Sequence, residues 1–320
     1  MLKPRSVMMF SVGLLAAGAG VASGQDYPNK PVRMVTAAPG AAGDFVARLV
    51  ALGLTDSWGQ QVIVENRGGS GVIPIEIVAK ALPDGYTLLV FGTTLWLLPL
   101  IQKVSYNPIG DFSPITLAAV TPLLLVVHPS LPVKSITELI ALAKSRPGEL
   151  NYASGISGSA THLPAELFKA MAGVNIVRVA YKGGAPAISA LIGGEVQVMF
   201  ATASGAGPHV NSGRLRALAV TGAEPSPLAP GLPTVAASGV PGYEVVSRTV
   251  ILAPAQTPAA IISQLNREIV RFLTRADVKE KLLDSGVQAI GSSPEALAAI
   301  INVETAKWSK LIKDAGIAAD

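Results

Sequence analysis

No cysteine occurs in the 320 residues, which excludes a disulfide, a thiolate metal site, a thiol nucleophile and a lipid-bearing Cys. Histidine is scarce too: His128, His162 and His209 are too few and too scattered to suggest a metal cluster, and no metal or cofactor is expected. Charged residues make up only 14% and aromatics 5%. There is no basic cluster or aromatic stripe of the kind that binds nucleic acid, and no carboxylate pair at acid–base spacing. Repeats and low-complexity blocks are absent as well. What remains is a chain that is 50% hydrophobic, far too apolar for a disordered protein, with 32 Gly and 24 Pro spread along it as punctuation. The length predicts about two lobes, each with its own core.

The N-terminus accounts for part of the hydrophobicity. Lys3 and Arg5 precede an uncharged run from Ser6 to Gly24, apolar at Met8–Ala17 and ending in small residues. That is the layout of a secretory signal peptide over residues 1–24, with Ala22 and Gly24 suited to the cleavage positions and a mature start near Gln25. The apolar centre is short for a retained membrane anchor, the alternative reading. Removing the segment leaves 23 basic against 21 acidic residues. Two further uncharged stretches, Gly85–Gln102 and Phe112–Val127, contain Pro and Thr and read as buried strands joined by turns. A soluble, exported protein is expected, acting as a monomer.

Short β-type runs alternate with helical patterns. Strand Val32–Ala37, helix Phe45–Leu54 capped by Asp44, strand Val62–Glu65, helix Ile75–Ala81 and strand Thr87–Phe91 imply a mainly parallel sheet covered by helices. The pattern restarts with strand Leu123–His128 and a helix opened by the capping box Ser135-Ile-Thr-Glu138. Strands at Leu150–Ala153, Ile176–Ala180, Val196–Phe200 and Leu215–Thr221 follow, with helices from about Thr161 to Met171 and over Ala185–Leu191. After a Pro-rich loop, Pro225–Pro233, comes strand Val245–Leu252. The end is helical: Ala259–Thr274, Val278–Ser285 and a last helix to Ala315 capped at Ser292-Ser-Pro-Glu295. The first unit has too few helices to cover its sheet, so the tail is expected to return to it. The chain then crosses between lobes twice, near residues 117–124 and 245–252. The expected fold is α/β with two lobes joined by two hinge strands: 25–121 with 250–320 in lobe 1, and 122–249 in lobe 2. Ligands of such sheets sit at the C-terminal ends of strands, against helix N-termini.

Two strand-to-helix loops carry the functional signal. In the first, Ala38-Pro39-Gly40-Ala41-Ala42-Gly43-Asp44, small residues let a ligand reach backbone N–H groups that the helix dipole makes electropositive. It lacks the Gly-Lys-Ser/Thr ending of a phosphate loop and is no dinucleotide fingerprint; a plain tight turn is the alternative. In the second, Ser154 to His162, Ser157, Ser159 and Thr161 can add hydroxyl donors suited to a carboxylate, or serve only as caps. Gly155-Ile-Ser-Gly-Ser159 resembles a nucleophile elbow only loosely, its fifth residue being Ser, and His162 is the sole nearby base. Gly92-Thr93-Thr94 is a further hydroxyl-bearing strand end, and Lys182 in Tyr181-Lys-Gly-Gly184 is either a turn residue or a cleft residue. His209, Arg214 and Arg216 read as surface features.

Taken in order, many segments resemble one family: Tyr27–Arg33, Ala38-Pro-Gly40 with Asp44–Arg48, Val64–Arg67, Val78–Leu89 and Asp111–Pro114. The match continues through His162–Phe168, Tyr181–Gly183, Leu215–Thr221, Pro233-Thr234, Pro241–Glu244, Leu252–Ala255 and Leu265-Asn266. The chain resembles the substrate-binding receptors of the tripartite tricarboxylate transporters, the Bug family, over essentially all of Tyr27–Lys313. The resemblance implies a periplasmic two-lobe receptor, without catalysis, that binds a small organic carboxylate between the lobes and hands it to a membrane permease or a sensor. Carried onto this chain, the ligand-binding residues are Pro39, Gly40, Ala41, Ala42, Ser157, Ser159, Ala160 and Thr161, with Thr93 and Thr202 as neighbours. The chain departs from the family at Ala41-Ala42-Gly43, which lack hydroxyls, at Leu98, at Gln197, and at Arg248-Thr249, where relatives carry an aromatic pair. These departures imply a more apolar first-lobe wall and a cation near the ligand at Arg248; the alternative is that Arg248 faces solvent or pairs with Glu244, four residues earlier on the same face of the strand. A hydrolase using Ser157 is the competing class; it would turn over an ester or amide, whereas a receptor saturates without product.

Overall fold

The computed structural model describes residues 27–37, 39, 42–68, 71–155 and 159–314; the signal segment expected over 1–24 lies outside them. The chain opens with β1 (Val32–Thr36), α1 (Ala42–Trp58), β2 (Val62–Asn66), α2 (Val72–Ala79), β3 (Thr87–Gly92) and α3 (Thr94–Ile101). β1 pairs in parallel with both β2 and β3. Side chains on a strand alternate between faces, and the core follows that rule. Val32, Met34, Leu88 and Val90 pack toward Val46, Val50 and Leu54 of α1. Val35, Leu89 and Phe91 face the other way, toward Ile75 and Val78 of α2 and Leu95 and Trp96 of α3.

β4 (Phe112–Val127) corrects the sequence reading: the stretch expected as buried strands joined by turns is one 16-residue strand. Pro114 and Pro122 cannot donate to a ladder, and the pairing register shifts between Pro114 and Thr116 and again between Leu117 and Ala119. The backbone groups freed there are taken up from the tail. Ser292 Oγ accepts from Leu117 N at 2.9 Å, and Asn266 Nδ2 donates to Ile115 O at 2.7 Å. The second half follows: α4 (Ile136–Ser145), β5 (Asn151–Ser154), α5 (Leu163–Ala172), β6 (Val177–Ala180), α6 (Gly184–Ile192), β7 (Val198–Thr202), α7 (Ala203–Asn211) and β8 (Arg216–Val220). β5 is parallel to β6 and β7. α7 was not read from the sequence. Ser135 Oγ accepts from Glu138 N as the capping box predicts, while the Glu138 carboxylate accepts from Lys134 N rather than Ser135 N.

The chain then returns through β9 (Val246–Pro254), α8 (Ala259–Leu273), α9 (Ala276–Asp284), β10 (Gln288–Ala289) and α10 (Pro294–Asp314). β9 lies antiparallel between β3 and β4, and β10 adds to β4. β4 therefore serves both halves: it pairs with β9 through Pro122 and with β7 and β8 from Leu123 onward. The return crossing falls just before β9, where Val245 N donates to Thr221 O at 2.8 Å. The tail packs on the first half as expected. Ile262, Leu265 and Ile269 of α8 join the face of α1, while Leu297, Ile301 and Trp308 of α10 join the face of α3. Burying a side chain of this size contributes roughly 1.5–3 kcal/mol, so the tail is integral to the first half. Ser293 caps α10, its Oγ accepting from Ala296 N at 3.2 Å, one residue later than the sequence reading placed the cap.

Candidate functional site

A cavity of about 90 Å³ opens where the two halves meet. The first half lines it with Gly92, Thr93, Thr94 and Leu97, at the end of β3 and the start of α3. The second half contributes Leu123, Ala160, Leu163 and Pro164. Val245, Val246 and Ser247 come from the return crossing, and Trp308 from α10. The position, at a strand end against a helix start, is the one the sheet topology favours for a ligand. Most of the lining is hydrocarbon; the polar groups carried by the lining side chains are three hydroxyls and the Trp308 indole N–H, and no ionisable side chain lines the cavity among the described residues.

The expected site residues divide. Thr93 and Ala160 line the cavity. Thr93 Oγ1 accepts from Arg248 N at 2.9 Å, locking the start of α3 to β9, and a hydroxyl that accepts still has one proton to donate. Gly40, Ala41 and Ser157 lie outside the described residues. Pro39 is exposed in a turn, and Ala42 is the first residue of α1. The helix begins two residues before Asp44, which therefore sits in its first turn rather than at its cap; its buried carboxylate accepts from Asn66 Nδ2 at 2.8 Å and pairs with Arg48 at 3.0 Å. Thr161 Oγ1 accepts from Gly155 N at 2.8 Å and lies 3.2 Å from Ser159 Oγ, so these hydroxyls close the loop on itself. The guanidinium of Arg178 lies beneath the same loop, with Nε donating to Ser154 Oγ at 2.9 Å and Nη2 to Gly155 O at 3.0 Å. Replacing Thr161 by Val is expected to leave the buried Gly155 N–H without its acceptor and to lower stability by about 1–2 kcal/mol, read as a shift in denaturant midpoint at unchanged slope.

Neither Thr202 nor Arg248 is among the residues that line this cavity. Thr202 does not reach this cavity: it caps α7, its Oγ1 accepting from Gly205 N at 3.2 Å, and lines a separate recess with Ile188, His209 and Arg214. Arg248, expected as a cation offered to ligand, is held by two carboxylates, Glu304 of α10 and Glu244 at 3.3 Å. Arg248 and Glu304 keep only 12% and 13% of their side chains exposed. Trp96 Nε1 donates to the other Glu304 oxygen at 3.2 Å, and Lys307 Nζ donates to Glu244 O at 2.7 Å. Burial raises the Glu304 carboxyl above its ordinary value, against the opposing pull of Arg248, and burial likewise lowers the Lys307 ammonium. Arg216 is also no surface feature; its Nη1 donates to Leu131 O and Val133 O at 3.2 and 2.9 Å. His162 is buried at the N-cap of α5, with Nε2 4.0 Å from Glu166 Oε1. Gln197 receives Asn151 N on its Oε1 at 2.9 Å, anchoring the start of β5.

Sequence reasoning did not identify Leu97, Leu163 and Trp308 as cavity-lining residues, nor Glu304 as the partner of Arg248. The first three carry only the helical periodicity of core residues, and Arg248 and Glu304 are 56 positions apart.

A sheet-and-helix unit on each side, two crossings and a cavity between them define the class of periplasmic binding proteins. The model of the tripartite tricarboxylate transporter family receptor matches residues 46–317, and the chain belongs to that family. Protein BugT of Bordetella pertussis is 35% identical over 313 residues, covering 95% of this chain and 96% of its own. The structure of R. palustris Rpa4515 with adipate is 39% identical, with a TM-score of 0.77, over 92% of this chain and 99% of that one. The periplasmic binding protein BugD is 32% identical with a TM-score of 0.74, over 92% and 100% respectively. Among the described residues no helix is long and apolar enough to cross a membrane.

Proposed function

We propose that this chain is an exported, monomeric periplasmic receptor that captures a small organic carboxylate between its lobes and delivers it to the permease of a tripartite tricarboxylate-type transporter. The lobes are residues 25–121 with 250–320 and residues 122–249, and residues 1–24 are the cleaved signal. The carboxylate is held by backbone and hydroxyl donors of the two loops, Pro39–Asp44 and Ser157–Thr161, together with Thr93. The observation that carries the reading is the cavity between the halves, bounded by Thr93 on one side and Ala160 on the other. Family membership and the adipate bound to Rpa4515 support it. No catalytic step is assigned. A thermal-shift screen of the mature protein against mono-, di- and tricarboxylates tests it: a ligand at 100 times its Kd is expected to add about 2.7 kcal/mol of apparent stability. Turnover of an ester or amide, or no shift with any acid, would overturn the reading.

A further inference from the structure

The wall of the cavity and the charges behind it narrow the ligand. Leu97, Leu163 and Trp308 present hydrocarbon from three separate elements, while Thr93, Thr94 and Ser247 supply the hydroxyls. The nearest cation on the hinge strand, Arg248, adjoins the lining residue Ser247, but its guanidinium turns to Glu304, one helical turn before Trp308 on α10, and to Glu244. With Lys307 the cluster holds two cations against two carboxylates, so it offers the cavity no net positive charge. A carboxylate taken out of water without a partner is strongly disfavoured, whereas a methylene or ring edge is favoured there.

Resting on the receptor reading above, we infer that the ligand is a carboxylate with a single anionic head and an uncharged apolar end, the end seated against Leu97, Leu163 and Trp308, and that Glu304 sets this preference by neutralising Arg248. Glu304 acts through Arg248 and is a positioning residue. The head lies against the hydroxyls of Thr93, Thr94 and Ser247. A second carboxylate at the far end meets hydrocarbon, and the Arg248 guanidinium behind the lining is already paired with Glu304 and Glu244. Removing the Glu304 charge leaves two cations facing the one carboxylate of Glu244, and the same wall then tolerates an anionic end.

Titration calorimetry of the mature protein with hexanoate, adipate and malate tests this, because hexanoate and adipate share a six-carbon chain and differ by one carboxylate. Hexanoate is expected to bind about tenfold or more tighter than adipate, and malate weaker still. In Glu304→Gln, which preserves an acceptor for Trp96, the hexanoate preference over adipate is expected to shrink by about tenfold. Adipate or malate binding as tightly as hexanoate to the wild type overturns the inference and leaves the carboxylate receptor standing. An unchanged ratio in Glu304→Gln, in protein with a native circular dichroism spectrum, overturns the role of Glu304. Absence of binding by every carboxylate tried overturns the receptor reading itself. The wild-type comparison stands even if the variant fails to fold.

Discussion

Arg248→Met is expected to lower the unfolding free energy by about 3 kcal/mol near pH 8, because it strips a mostly buried carboxylate of its ion-pair partner. Glu304 would be left with the Trp96 Nε1–H at 3.2 Å and the more distant Lys307, and with Glu244 repelling it. The loss carries a pH signature. Burial already lifts the Glu304 carboxyl above its ordinary 4.5, so the folded state binds its proton more tightly than the unfolded chain does. Stability supplied by such a group is present at low pH and is lost as pH rises through the folded value. Without Arg248 that value climbs further, so the window widens and the deficit is expected to be smaller near pH 5 than near pH 8. The double variant Arg248→Met/Glu304→Leu is expected to regain most of the deficit, since removing both charges also removes the cost of burying them. Urea unfolding at the two pH values, followed by tryptophan fluorescence, measures all three proteins. A single-variant deficit below about 1 kcal/mol at both pH values would mean that water screens the pair as it does a surface salt bridge.

That pair also shows where reading the sequence stops. The strand Val245–Leu252 was legible from its composition, and alternation put Glu244 and Arg248 on one side of it, a pairing the structure has. Alternation cannot say which element covers that side, and the covering element is a helix that begins 46 residues later, at Pro294. The parallel units were legible for a simpler reason: each is built from local apolar runs separated by Gly and Pro. α7 was missed because Gly205, Gly207 and Pro208 are poor helix formers, and tertiary packing of Ala203 and Ala206 overrides them. β4 was read as strands joined by turns because of its Pro and Thr, while the groups that satisfy its irregular backbone, on Asn266 and Ser292, are far away in sequence. In the candidate site the two loops were identifiable as strand-to-helix turns. The hydrophobic residues that give the cavity its character were not, because a leucine facing a cavity and one facing a core carry the same pattern.

Phe168→Ala is expected to have an effect of similar size on stability and a second one on binding. Phe168 is 1% exposed on α5, with its ring 5.8 Å from that of Phe200 on β7 and 6.2 Å from that of Tyr243, just ahead of the return crossing. Truncation leaves a ring-sized void among rigid aromatic neighbours that cannot collapse to fill it, and such voids cost about 3–5 kcal/mol. The same three rings fix the wall of the cavity. Tyr243 donates its hydroxyl to Pro164 O at 2.9 Å, and Pro164 and Leu163, in the first turn of α5, both line the cavity. With Phe168 gone, α5 is held at that end by the Tyr243 hydrogen bond and the contacts of Leu163 and Leu167, so a ligand must order the wall as it binds. Affinity for whichever carboxylate the wild type prefers is therefore expected to fall by roughly tenfold, since ordering that wall sets about 1.4 kcal/mol against binding. Phe168→Leu keeps most of the volume and is expected to lose about 1.5 kcal/mol of stability while holding affinity within a factor of about three. Calorimetric titration and urea unfolding of the two variants separate the effects: an Ala variant that loses stability yet binds like the wild type would show that the aromatic cluster supports the fold without shaping the cavity.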